Sequence, residues 1–156
     1  MKLANVLSEL GDRLGLGTIE LDQDGGCLLA FDNNLLVDIE QAYEGPGFYL
    51  SATVCPAPQQ KRQSVFAELL EANLQGRGTG HACLAFDADL DEIVLSQTIA
   101  NDDIEIEAFE QELEAFLNVL EHWKHRYETG ELGTLHGAVA ASNATIMPPG
   151  GNIIRG

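Results

Sequence analysis

The sequence predicts an α+β fold: a mostly antiparallel, twisted sheet of about five strands with three helices, in the order α-βββ-α-ββ-α. Three observations carry this. Three segments repeat apolar residues at helical spacing. Between them lie short apolar or alternating runs bounded by turn residues, the pattern of antiparallel hairpins. The 156 residues, 45% of them apolar, also suffice for one domain with its own core.

The first helix spans about residues 2–15, where Leu3, Leu7, Leu10 and Leu14 form one stripe that Val6 widens. Gly15 and Gly17 supply its stop, because glycine tolerates the left-handed conformation that closes a helix. Four β-like segments follow. Residues 18–22 alternate, Asp24-Gly25-Gly26 marks a turn, and residues 27–32 are an apolar run. Asn33-Asn34 makes a two-residue turn into 35–41, so the two segments read as a hairpin. Gly45-Pro46-Gly47 leads into 48–54, rich in aromatic and β-branched residues.

Pro56 and Pro58 precede a second helix at about 61–75. Val65, Leu69 and Ala72 share one of its faces, while Phe66, Leu70 and Leu74 extend around the side. An arc this wide calls for cover on more than one side, and a single sheet covers only one. The other side is a candidate dimer surface. Gly76, Gly78 and Gly80 end the helix. Residues 82–87 and 92–99 pair around the turn Ala88-Asp89-Leu90-Asp91.

The third helix runs from about 103 to 128, with Asp102 or Asp103 as its cap. Ile106, Phe109, Leu113, Phe116, Leu117 and Leu120 form its apolar face; Glu105, Glu107, Glu110, Glu112 and Glu114 face water. Lys124 and Arg126 complement the dipole at its end. Residues 1–129 thus form one domain, and the small, Gly-containing stretch 130–156 reads as an extended, flexible tail.

The formal net charge is −17, from 25 acidic and 8 basic residues. A field of that sign repels phosphate backbones and anionic headgroups, which argues against nucleic-acid and membrane-surface binding. Between Arg77 and Lys124 stand twelve acidic residues and no Lys or Arg; between Arg13 and Lys61 stand seven and none. Local pairing cannot neutralise such stretches, so the surface stays negative or a basic partner covers part of it. No apolar run reaches the ~20 residues of a membrane span, and the first residues lack a signal-peptide core. The expected compartment is the cytoplasm.

Motifs for chemistry are weak. Gly76-Arg77-Gly78-Thr79-Gly80 follows a helix, precedes a strand and lacks the phosphate-loop lysine, so it reads as a helix stop and turn. Asp87, Asp89, Asp91 and Glu92 resemble the start of a calcium loop, but the positions that need Gly and a bidentate Glu hold Glu92 and Thr98. His122 and His125 share a helix face without further zinc ligands. Cys27, Cys55 and Cys83 are an odd number at wide spacing and read as structural, Cys27 and Cys83 within apolar runs. No Gly-x-Ser-x-Gly elbow supports a nucleophile. Neither an enzyme nor a cofactor or metal site is indicated.

Several stretches carry a family resemblance. They are Leu14-Gly15-Leu16-Gly17 followed by Ile19-Glu20-Leu21-Asp22, and Cys27-Leu28-Leu29-Ala30-Phe31-Asp32. They continue with Leu69-Leu70-Glu71-Ala72-Asn73-Leu74, Leu84-Ala85-Phe86-Asp87 with Ile93-Val94-Leu95-Ser96-Gln97, and the helix pattern of Phe109, Glu110, Leu113, Glu114, Phe116 and Leu117. Over about residues 2–127 the sequence resembles the class I type III secretion chaperones, the Tir-chaperone (CesT-like) family. The resemblance implies a homodimeric chaperone of the bacterial cytoplasm, serving virulence, without ATPase activity or cofactor. Such a chaperone holds the N-terminal chaperone-binding segment of a secreted effector in extended form. It keeps that effector soluble and secretion-competent and aids its delivery to the secretion apparatus, whose ATPase is a further partner.

Within that frame the dimer interface falls on Val65, Phe66, Leu69, Leu70, Leu74, Cys83 and Leu84. Effector binding falls on Val6, Leu10, Leu28, Leu36, Phe48 and Leu50. The charge alone permits a second reading, a small acidic regulatory protein that sequesters a basic protein partner.

Overall fold

The structure is a computed structural model and describes residues 3–101 and 103–134. Its elements are α1 (Leu3–Leu14), β1 (Gly26–Phe31), β2 (Leu35–Gln41), β3 (Phe48–Pro56), α2 (Arg62–Asn73), β4 (Cys83–Asp87), β5 (Glu92–Ile99) and α3 (Ile106–Glu128). The five strands form one antiparallel sheet in the order β1-β2-β3-β5-β4. The predicted α+β class and the count of three helices and five strands match this architecture.

Strand alternation decides the two faces of the sheet. Leu35, Val37 and Ile39 of β2 are buried while Leu36, Asp38 and Glu40 point the other way; β5 alternates likewise. The buried face carries the core. There α3 packs over β2 and β3, α1 lies against α3, and α2 runs along β4. Phe48 and Phe109 meet edge to face at 5.5 Å in its middle, both fully buried. Leu3, Val6, Leu7 and Leu10 of the predicted α1 stripe are buried, while Leu14 at its end is exposed. Each buried side chain is worth about 1.5–3 kcal/mol of transfer free energy.

The segment 18–22, expected as a strand, is irregular. After α1 the chain folds back so closely that a Cβ on Gly11 would stand 2.0 Å from the Gly17 carbonyl oxygen. Ile19 and Leu21 then rest half-buried against the core without a partner strand. Asp22 instead forms an Asx-type turn, its carboxylate accepting from the amides of Asp24 and Gly26 at 2.9 Å. The first hairpin turns through three residues, Asp32–Asn34, rather than two, since Phe31 pairs with Leu35. The second pairs Asp87 with Glu92 around the expected four-residue turn. There the Asp87 carboxylate accepts from the amides of Asp89 and Leu90, which gives the acidic turn a structural use.

Helix α3 starts at Ile106, and the residue before it, Glu105, makes no side-chain cap. Asp103 lies two residues before the N-cap position, and its amide donates to Asn101 Oδ1 at 2.9 Å. Asp102 lies outside the described residues. Glu105, Glu107 and Glu114 are exposed as expected, whereas Glu110 and Glu112 are half-buried. Glu107 and Glu110 hold Arg13 of α1 at 2.7 and 3.1 Å. Glu112, half-buried, accepts from Gln97 Nε2 at 2.6 Å. The stretch 76–80 is a helix stop as expected, its Gly78 amide bonding the Ala72 carbonyl at 2.9 Å.

Of the tail, residues 130–134 are described and the rest lies outside the described residues. Leu132 is buried, and the Gly133 amide donates to Glu68 Oε2 at 2.7 Å. Glycine is required there: φ is +77°, and a Cβ would stand 2.9 Å from Val65 Cγ2. The globular unit therefore runs past the predicted boundary at 129.

Candidate functional site

The two edge strands differ in what covers their outward peptide groups. Along β1 the Gly26 amide and carbonyl point away from β2, toward Asp22. By the period of two, the peptide groups of Leu28 and Ala30 point the same way. No partner stands beside them among the described residues. Along β4 the Asn73 side chain of α2 forks onto the edge. Its Oδ1 accepts from the Leu84 amide and its Nδ2 donates to the Leu84 carbonyl, both at 2.8 Å. That covers the middle of β4, the usual way an edge is protected from further pairing.

The open face of the sheet forms a groove of about 740 Å³ that reaches the C-terminal end of α3. Leu28, Leu36, Val94 and Leu90 give it an apolar lining; Leu28 is 65% and Leu36 49% exposed. Asp38, Glu40, Asp87, Glu92 and Glu128 stand along it, with Lys124 as the single Lys or Arg in the lining. Large apolar side chains left in water beside carboxylates mark an interaction surface more than a folding defect.

On the other flank α2 is tied down by polar contacts. Glu68 is buried, receives Arg126 of α3 through Nε and a terminal guanidinium nitrogen, and holds the Gly133 amide. Trp123 Nε1 donates to the Gly78 carbonyl at 2.9 Å. Arg62 lies over the rings of Phe66 and Phe86, 5.2 and 4.8 Å from their centroids, and bonds Asp91 at 2.8 Å. That hydrogen bond holds the Asp91 carboxyl below its usual range. With α2 fixed in this way, Leu70 is 71% and Leu74 53% exposed.

The residues expected to bind effector separate into two groups. Val6, Leu10, Phe48 and Leu50 are fully buried between sheet and helices, which corrects their assignment to an accessible surface. They lie on the apolar face that the core consumes, and sequence alternation alone does not say which face that is. Leu28 and Leu36 are exposed, on neighbouring strands at the groove. The expected dimer residues divide too. Val65, Leu69 and Leu84 are buried within the chain, Phe66 is half-buried against Phe86, and Leu70, Leu74 and Cys83 are exposed. Burial pushes the Cys27 and Cys55 thiols up to about 11, as expected of cysteines that only pack. Cys83 departs from that reading, since it lies on the open face.

Sequence reasoning missed the acidic side of the groove. Its signal was present: in 35–41 the alternation that buries Leu35, Val37 and Ile39 necessarily aligns Leu36, Asp38 and Glu40 on the opposite face.

The fold is thus a helix-backed antiparallel sheet with one open face and, among the described residues, one edge left bare at Leu28 and Ala30. The Tir chaperone protein (CesT) family matches residues 5–124, and the chain belongs to it. Among solved structures it is similar to the ExsC–ExsE complex, at 25% identity and a TM-score of 0.66, covering 80% of this chain and 96% of that one. It is also similar to the HopA1–SchA chaperone–effector complex (17% identity, TM-score 0.64, 78% and 91% covered). A third is the Yersinia pestis type III secretion chaperone SycH with a stable fragment of YscM2 (19%, 0.59, 77% and 98%). The last two likenesses are of fold. Comparison with curated proteins gives no match. Among the described residues no helix is long and apolar enough to cross a membrane.

Proposed function

We propose that this protein is a homodimeric type III secretion chaperone that holds the N-terminal chaperone-binding segment of a secreted effector in extended form. It keeps the effector soluble and secretion-competent and aids its delivery to the secretion apparatus, acting in the cytoplasm without catalysis of its own. The bare edge of β1 beside exposed Leu28 and Leu36 is the observation that carries this reading. The peptide groups of Leu28 and Ala30 can receive a further strand, while its alternate side chains settle on Leu28 and Leu36. Ordering the segment costs free energy, so the wrapped surface must be large. The exposed part of the expected dimer set, Leu70, Leu74 and Cys83 with Phe66, serves self-association on the opposite flank, away from the cargo edge.

Co-expression with the secreted proteins of the parent bacterium tests the reading. The expected result is co-purification of one effector through its N-terminal segment, lost on Leu28→Glu or Leu36→Glu while circular dichroism stays unchanged. Absence of any bound effector, or retention by both variants, overturns it. Light scattering of the free protein is expected to give twice the chain mass, and Leu70→Glu with Leu74→Glu to give the single mass.

A further inference from the structure

We infer that the groove on the open face of the sheet selects a basic extended segment, one that sets an apolar residue over Leu36 and Lys or Arg at the next alternate positions. The inference rests on the chaperone reading and deepens it by naming the chemistry of the captured chain.

Leu36, Asp38 and Glu40 follow one another on the same side of β2, about 6.8 Å apart, as every second residue of an antiparallel strand must be. An extended peptide repeats its own alternate side chains at nearly the same distance, so apolar, basic, basic on one side matches this column in register. Leu28 stands across from Asp38, and Ala30 from Leu36. Lys and Arg suit such a surface because their stems lie along apolar atoms while the cation reaches a carboxylate.

Charge decides who fits. Five carboxylates and one ammonium line the groove. No ion pair is formed by Asp38, Glu40 or Glu128 within the described residues, and Glu92 receives only the Thr53 hydroxyl, at 3.0 Å. A second copy of this chain, itself at −17, would bring carboxylates against carboxylates here. Acidic or neutral apolar segments would leave the groove charges unanswered. A basic segment answers them and gains long-range attraction as it approaches.

The test uses the full chain and a labelled synthetic peptide repeating Val-Ser-Lys-Ser-Lys-Ser, with Gln in place of Lys as its neutral counterpart. Fluorescence anisotropy is read in low salt and again at about 1 M salt, where the Debye length falls to about 3 Å. The Lys peptide is expected to bind, to outbind the Gln peptide, and to lose its advantage in high salt. The triple variant Asp38→Asn, Glu40→Gln, Glu92→Gln is expected to bind it about tenfold more weakly, from three half-buried, solvent-screened charge pairs at a fraction of a kcal/mol each. Glu20→Gln, Glu105→Gln, Glu114→Gln removes the same formal charge elsewhere and is expected to change affinity by less than about threefold.

Equal losses from the two triples would show attraction to the protein's general field and overturn the groove. Equal binding of the Lys and Gln peptides would overturn it as well. Should the groove triple fail to fold, the single variants Asp38→Asn and Glu40→Gln are read instead, each expected to weaken the Lys peptide about twofold. An effector segment that survives the groove triple unweakened overturns this inference and leaves the chaperone reading standing. If no effector is ever bound while the Lys peptide behaves as expected, the chaperone reading falls and the groove chemistry remains.

Discussion

The β1 flank and the β4 flank of the sheet are held by different forces. At β1, Cys27 and Leu29 share the core with Leu3, Val6, Leu7 and Leu10 of α1, whose polar tie to α3 is Arg13, which holds Glu107 and Glu110 at the surface. At β4, α2 is fixed by directional bonds: Asn73 on Leu84, Glu68 on Arg126 and Gly133, Trp123 on Gly78. Under β1 the packing is apolar, and among the described residues the outer peptide groups of Leu28 and Ala30 stay without a partner, while that of Gly26 is held by Asp22. The polar bonds at β4 close the edge and let α2 turn Leu70 and Leu74 outward. One flank thus offers backbone to a partner, and the other offers side chains.

Removing the polar anchor should break this contrast most severely. Glu68→Ala breaks the buried pair, leaves the largely buried Arg126 guanidinium with only the more exposed Glu131 as counter-charge, and frees the Gly133 amide. A loss of about 3–5 kcal/mol in urea unfolding is expected. Asn73→Ala comes next. It strips both bonds from Leu84, costs about 2 kcal/mol, and gives β4 a bare edge like that of β1. Concentration-dependent association in light scattering is the accompanying sign.

Ala30→Pro sharpens the comparison from the other side. The Ala30 amide points away from β2, so proline removes no ladder bond and should cost under about 1 kcal/mol in the same measurement. It removes a donor that an added strand needs, so effector capture should fall while the melt barely moves. Leu29→Pro, one residue earlier, faces β2 and should unfold the hairpin instead.

The smallest effect concerns pH. Hydrogen bonding to Glu112 raises the His81 pKa above its ordinary value. Its stabilisation is therefore complete below that ordinary value and fades as pH rises through the raised one. Thermal melts between about pH 5 and 8 should show a slight loss of stability on the alkaline side, absent in His81→Gln. Glu107 behaves oppositely. The Arg13 bond lowers its pKa, so that contribution is present above the ordinary carboxyl value and is lost in acid as pH falls through the lowered one.

Much of the fold was legible in the residues. The α1 stripe, the hairpin turns and the apolar face of α3 each announce themselves by spacing, and the five strands lie where apolar runs meet turn residues. The candidate site was legible only in part. Leu28 and Leu36 were picked out together with Val6, Leu10, Phe48 and Leu50, although the first pair faces solvent and the other four fill the core. All six are apolar residues in regular elements, and nothing local separates those two fates.

Spacing and charge are local or additive properties, and for that reason the chain alone settles its element order, its class and its negative field. Three things depend on which elements come to lie together. The segment 18–22 has the alternation of a strand but pairs with no strand among the described residues. Asn73 closes β4 only because α2 lies along it. Leu36, Asp38 and Glu40 become one face of a groove only once the helices have taken the opposite face of β2. Contacts between residues distant in sequence are set by packing, and packing assigns each of two chemically similar faces either to the core or to a partner.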